Sequence, residues 1–94
     1  MKKFIILAAA LLTGVVAVAA DKSVRLSIST GGTAGVYYPL GGGMAAALSK
    51  YVPEIDATAE VTGGSVDNIK LIGAGKSDIG FSMADAAWDG YKGQ

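Results

Sequence analysis

Cysteine and histidine are both absent from the 94 residues. Without cysteine there is no disulfide framework, no thiolate-ligated zinc or iron–sulfur site and no thiol nucleophile. Without histidine the commonest general base and metal ligand is missing, and no cofactor or metal site is expected from this chain. An excess of either charge is lacking too. Eight Lys+Arg balance eight Asp+Glu, which leaves no basic footprint for nucleic acid. Charged residues are 17% against 51% hydrophobic, a balance that opposes disorder, and the length allows one small domain at most. Glycine, by contrast, is abundant at 14 residues, about twice its usual share, and it is clustered.

The first segment reads as an address. Met1-Lys2-Lys3 is basic, and the 17 residues from Phe4 to Ala20 carry no charge. The run closes on the small residues Ala17-Val18-Ala19-Ala20, followed by polar Asp21-Lys22-Ser23. A basic start, an apolar middle and an A-x-A-like end describe a secretory signal peptide over residues 1–20. A retained membrane anchor is the competing reading, since the run lies at the lower limit for spanning a bilayer. No cysteine stands at the cleavage site, which excludes a bacterial lipid anchor. The expected outcome is export and cleavage after Ala19 or Ala20. Mass spectrometry of the exported protein checks this, and a mature N-terminus still at Met1 would contradict it.

Residues 21–94 hold six basic and eight acidic residues. A chain of this size buries only about 60% of its unfolded surface, too little for comfortable independent stability. The expectation is therefore the N-terminal part of a longer protein.

Val24, Leu26 and Ile28 alternate with Arg25, Ser27 and Ser29, a strand pattern. The loop Thr30-Gly31-Gly32-Thr33-Ala34-Gly35 leads into a helix from Val36 or Tyr37 to Tyr51. Its expected buried face is Leu40, Met44, Ala47, Leu48, Tyr51 and Val52. Pro39 is tolerable in the first turn, and Pro53 marks the stop. The run Gly41-Gly42-Gly43 implies close packing on the strand beneath, because glycine otherwise weakens a helix. Ala57, Ala59 and Val61 alternate with Thr58, Glu60 and Thr62 as a second strand. Gly63-Gly64 makes a turn, Ser65 is the expected N-cap, and Asp67 suits the first helical turn. Val66, Ile69, Ile72 and Gly73 should line the inner face of this second helix, which Gly73, Gly75 and Lys76 end. Ile79, Phe81 and Met83 form a third strand, and Ala84 to Tyr91 a third helix.

The order βαβαβα with short loops predicts an α/β fold, a mostly parallel sheet with helices on both faces. Alternating strands sit uneasily with two covered faces, so Arg25 and Glu60 should lie at a sheet margin or pair. Each βα loop falls at the carboxyl end of a strand, where ligands of open α/β sheets bind. Each also opens a helix whose first N–H groups attract carboxylates and phosphates. Thr30, Thr33, Ser65 and Asn68 add hydroxyl and amide groups, and Tyr37 and Tyr38 add flat apolar area.

Other patterns carry less. Gly75-Lys76-Ser77 resembles the tail of a phosphate-binding loop, but Lys70 occupies the position of its first glycine and the strand–helix order is reversed. Asp85 and Asp89 share a helical face and read as solvated rather than as a metal pair. Ser65 lacks an activating base within the chain.

The stretch STGGTAGVYYPLGGGMAAALSK and the later ATAEVTGGSVDNIKLIGAGKSDIGFSMADAAWDGYKG closely resemble the TAXI family, the periplasmic solute-binding subunits of a branch of the TRAP transporters. The motifs are Thr30-Gly31-Gly32-Thr33, Tyr37-Tyr38-Pro39-Leu40, Gly63-Gly64-Ser65-Val66-Asp67-Asn68 and Asp78-Ile79-Gly80-Phe81. Ala34 departs from an expected glycine. The resemblance implies the start of the first lobe of a two-lobed binding protein of periplasmic type II architecture, with the second lobe absent from this chain. It implies a receptor without catalytic activity. Such a receptor captures a small anionic organic solute, such as glutamate or a related dicarboxylate, and delivers it to an integral membrane TRAP permease. Mapped onto this chain, the ligand loops comprise Thr30, Gly31, Gly32, Thr33, Gly35, Val36, Tyr37 and Tyr38, then Gly64, Ser65, Val66 and Asn68, then Met83, Ala84 and Asp85. Two other readings stay open here: an enzyme or interaction module reusing the same lobe, and a truncated gene product without function.

Overall fold

The computed structural model describes residues 23–93. The signal peptide and its cleavage point lie outside the described residues. Within them the elements run β1 (Val24–Ser29), α1 (Tyr37–Tyr51), β2 (Ile55–Glu60), α2 (Ser65–Gly73), β3 (Ile79–Gly80) and α3 (Ala84–Lys92). The three strands form one parallel sheet in the order β2-β1-β3. The expected α/β fold and βαβαβα order are thus observed.

Register explains the alternation of the strands. Val24, Leu26 and Ile28 sit beside Ile55, Ala57 and Ala59, and Ile28 also beside Ile79, so these side chains share one face. Helix α1 packs there, and Ile28, Ala45 and Ala57 are the buried centre of the core. The opposite face carries Arg25, Ser27 and Ser29 beside Asp56, Thr58, Glu60 and Gly80. Helix α2 reaches this second face only near β3, where Ile72 and Asn68 occupy the space a Cβ on Gly80 would need. Arg25, Asp56, Thr58 and Glu60 therefore stay exposed on a polar sheet face. A sheet with a helix packed on one side and only partial cover on the other reads as alternating rather than as continuous apolar runs.

The inner face of α1 differs from the expected one. Gly41 and Ala45 are buried, with Leu48 packed against the core, whereas Leu40, Met44 and Tyr51 are 53%, 39% and 73% exposed. Ala47 is exposed as well. The smallest residues face the sheet because the helix approaches closely: Gly41 lies against Thr30, Phe81 and Ile28. The expected face ranked residues by apolar area, and close approach selected by size instead. The Ser49 hydroxyl adds a polar fastening, accepting the Ala57 N–H at 2.9 Å, so the middle of edge strand β2 is not bare.

Two strands are displaced from their expected bounds. β2 starts at Ile55 and ends at Glu60, so Val61 and Thr62 leave the ladder. β3 is two residues long, and Met83 is outside it. Phe81 N–H still donates to Ser29 O at 3.0 Å. Beyond that point the Asn68 side chain takes the Thr30 and Phe81 carbonyls, and a side-chain bridge replaces the ladder. The inner face of α2 shifts for the same reason. Asn68 is fully buried, Val66 and Gly73 are exposed, and Ile69 packs against Gly90 of α3. The helix ends as expected. Gly75 at φ 72° follows the cap, with Gly75 N–H to Ile72 O and Lys76 N–H to Leu71 O, a Schellman closure. Ser77, the last residue of the phosphate-loop lookalike, is buried and bonded to Ser29 and Ile79, so it serves the sheet.

Candidate functional site

Strand β1 is central, and the chain passes first to β2 on one side and then to β3 on the other. That reversal opens a crevice at the carboxyl ends of the strands, the usual ligand position in open α/β sheets. A cavity of about 320 Å³ lies there, lined by Gly31, Gly32, Gly35, Val36, Tyr37, Gly64 and Met83. All three βα loops contribute to it, and no lining side chain is charged. The Tyr37 ring stacks on Phe81 at 5.2 Å between centroids, which fixes the wall formed by the start of α1.

Each loop is held before it reaches the cavity. Thr30 continues the ladder past β1, with its N–H and its hydroxyl both donating to Glu60 O, at 3.0 and 2.6 Å. Thr62 N–H donates to Gly31 O at 3.2 Å, which ties the loops after β1 and β2 together. Gly35 N–H donates to Gly32 O at 3.0 Å and closes the tight turn before α1. The three helix starts then face one sheet edge, and none carries a side-chain cap. Their first N–H groups are the donors a helix cannot satisfy internally, and they hold the positive end of the helix dipole. The first turn of α1 has no acidic residue, whereas Asp67 and Asp85 stand in those of α2 and α3.

The expected cap is corrected. Gly64 caps α2, at φ 112° and ψ −153°, and Ser65 is the first helical residue. The Ser65 hydroxyl accepts the Met83 N–H at 2.9 Å instead, joining the start of α2 to the residue that precedes α3. A left-handed, extended backbone of this kind is open to glycine almost alone, so the turn places the cap on Gly64.

The expected ligand residues separate into three groups. Gly31, Gly32, Gly35, Val36, Tyr37, Gly64 and Met83 line the cavity. Thr33, Val66, Ala84 and Asp85 are exposed beside it, Tyr38 and Ser65 are half-buried, and Asp85 accepts the Ala86 N–H at 2.8 Å. Thr30 and Asn68 are fully buried and have their side-chain groups engaged, so they stand behind the wall rather than in it. Two further residues belong to the site and were read as strand positions: Phe81 under Tyr37, and Thr62, whose hydroxyl donates to Asn68 Oδ1 at 2.6 Å. The alternation of apolar and polar residues around each points to a ladder, and the motif Asp78-Ile79-Gly80-Phe81 is the further signal at Phe81.

Another cavity, of about 280 Å³, lies on the polar sheet face, lined by Arg25, Asp56, Glu60 and Asp78 among others. Asp78 Oδ2 there accepts the Ser27 N–H at 2.8 Å. Among the described residues no group of acidic side chains is placed to hold a metal ion, and no helix is long and apolar enough to cross a membrane. A three-stranded parallel sheet with helix starts converging on the crevice beside its central strand is consistent with the start of a periplasmic-binding-protein lobe. Residues 28–94 match the model of the NMT1-like family, and the chain belongs to that periplasmic binding protein-like family.

Proposed function

We propose that the protein is the solute receptor of a TRAP-type secondary transporter, of the TAXI kind, and that it works in the periplasm. It captures a small organic acid or amino-acid-like carboxylate and hands it to an integral membrane permease. One observation carries the reading: three uncapped helix starts converge on a single cavity without a charged lining side chain. Such a site recognises a carboxylate through main-chain N–H groups and the helix dipoles. The apolar lining from Val36, Tyr37 and Met83 accommodates the carbon skeleton. Membership of the NMT1-like family supports binding rather than catalysis.

In this reading the lobe supplies one wall of the cleft. A second lobe, which the TAXI resemblance calls for, closes over the solute and supplies the selecting side chains. Calorimetric titration of the two-lobed protein with glutamate and related dicarboxylates tests it. The expected result is saturable binding. Ser65→Ala should weaken it about tenfold, because the hydroxyl that holds the Met83 N–H is lost. The same variant melted without solute separates a loss of fold from a loss of binding. No heat with any carboxylate, or unchanged affinity in Ser65→Ala, would overturn the reading.

A further inference from the structure

Asn68 has no exposed surface, and its side-chain amide touches all three loops of the candidate cavity. Its Nδ2 donates to Thr30 O at 2.7 Å, in the loop after β1, and to Phe81 O at 2.8 Å, in the loop after β3. Its Oδ1 accepts the Thr62 hydroxyl at 2.6 Å, in the loop after β2. Thr62 Oγ1 in turn accepts the Gly64 N–H at 3.2 Å, so the chain of bonds ends on a residue lining the cavity. The other two arms end one residue short of the wall on one side and two residues short on the other: Gly31 follows Thr30, and Met83 lies two after Phe81.

We propose that Asn68 is a positioning residue that locks the three ligand loops into one arrangement, and that it does not itself touch the solute. The inference rests on the proposed solute site for its functional meaning, while the lock is a property of the fold alone. A carboxamide suits the position because it offers two donors on one side and an acceptor on the other. Both donors meet carbonyls and the acceptor meets a hydroxyl, and the side chain has no exposed surface through which a ligand could reach it. Fully satisfied buried networks of this kind specify a single geometry, and partial satisfaction is costly.

Asn68→Asp is the decisive variant. It keeps the shape and the acceptor but sets a carboxylate oxygen against two carbonyls. Burial and those carbonyls disfavour the charged form, so the new carboxyl should titrate above its unfolded value. The folded variant then binds the extra proton, and stability is gained as pH falls and lost as pH rises through the folded value. Amide NMR spectra of the two-lobed protein are recorded from pH 8 to 5.5, with and without glutamate. At pH 8 the amides of residues 31–33, 62–64 and 81–84 should shift together relative to the parent chain, and glutamate should bind at least about tenfold more weakly. On acidification one donor returns, and both effects should partly reverse, while the parent chain changes little over the same range. Thr62→Val, which removes a single arm, should shift the Asn68 side-chain amide along with Gly64 while leaving residues 31–33 near their parent positions, and it tests the lock even where Asn68→Asp fails to fold. Concerted, reversible loop shifts without an effect on glutamate would keep the lock and remove the solute reading. Shifts confined to α2 in Asn68→Asp, or an unmoved Asn68 side-chain amide in Thr62→Val, would overturn the lock.

Discussion

A Gly41→Val variant is expected to lose most of its cooperative melt, whereas Gly43→Ala is expected to melt above the parent chain. Both substitutions fall in the same helix, two residues apart. Gly41 is buried, and a Cβ there would overlap Thr30 Cγ2, with Phe81 and Ile28 already in van der Waals contact behind it. Thr30 cannot swing aside cheaply, because its hydroxyl is bonded to Glu60 O at 2.6 Å and its surface is fully buried. Overpacking of this kind costs typically about 1–3 kcal/mol, and valine adds two methyl groups beyond the Cβ. Domains of this size have a total stability of only about 4–10 kcal/mol, at roughly 0.05–0.15 kcal/mol per residue. A Cβ on Gly43 meets nothing within 4 Å, so alanine there gains helix propensity, about 1 kcal/mol, without a clash. Circular dichroism with a thermal melt reads both. Equal melting of Gly41→Val and the parent would mean that α1 does not lie as close to β1 as described.

Gly64→Ala is expected to lower stability and abolish solute binding together. Gly64 has φ 112° and ψ −153°, a region that side chains strongly disfavour, at a cost of about 1–3 kcal/mol. Relief of that strain has to move the cap of α2. The cap N–H bonds to Thr62, and the next residue, Ser65, holds Met83, so the displacement spreads to two walls of the cavity. Gly75→Ala is the control. It sits at φ 72°, where a left-handed alanine costs about 1–2 kcal/mol, but at the far end of the same helix. It should lower the melt by a similar amount and leave glutamate affinity unchanged. Equal binding by Gly64→Ala and Gly75→Ala would detach the site from the start of α2.

The sequence carried the topology because strand and helix periods alternate cleanly between the glycine loops. The three loops that line the cavity were legible for the same reason: each glycine cluster follows a strand and opens a helix. What escaped were features that depend on partners distant in sequence. Leu40 and Met44 look like core residues by apolar area, yet Gly41 and Ala45 face the sheet, because only the tertiary approach of α1 to β1 decides which residues are small enough. Asn68 looks like a ligand group by chemistry. Its partners are carbonyls 38 and 13 residues away, and no local pattern announces them. Ser65 has the composition of a cap, but the backbone angle of Gly64 moves the cap back by one residue.

If the three helix starts hold a small carboxylate, an amide NMR titration of the two-lobed protein with glutamate, and with a neutral amide analogue of the same shape, reads it directly. Shifts are expected at Gly32, Gly35, Tyr37, Ser65, Val66 and Ala84 with the carboxylate, and much smaller ones with the neutral analogue. Shifts clustered instead on the polar sheet face at Arg25, Asp56 and Asp78, or equal shifts with both compounds, would contradict it.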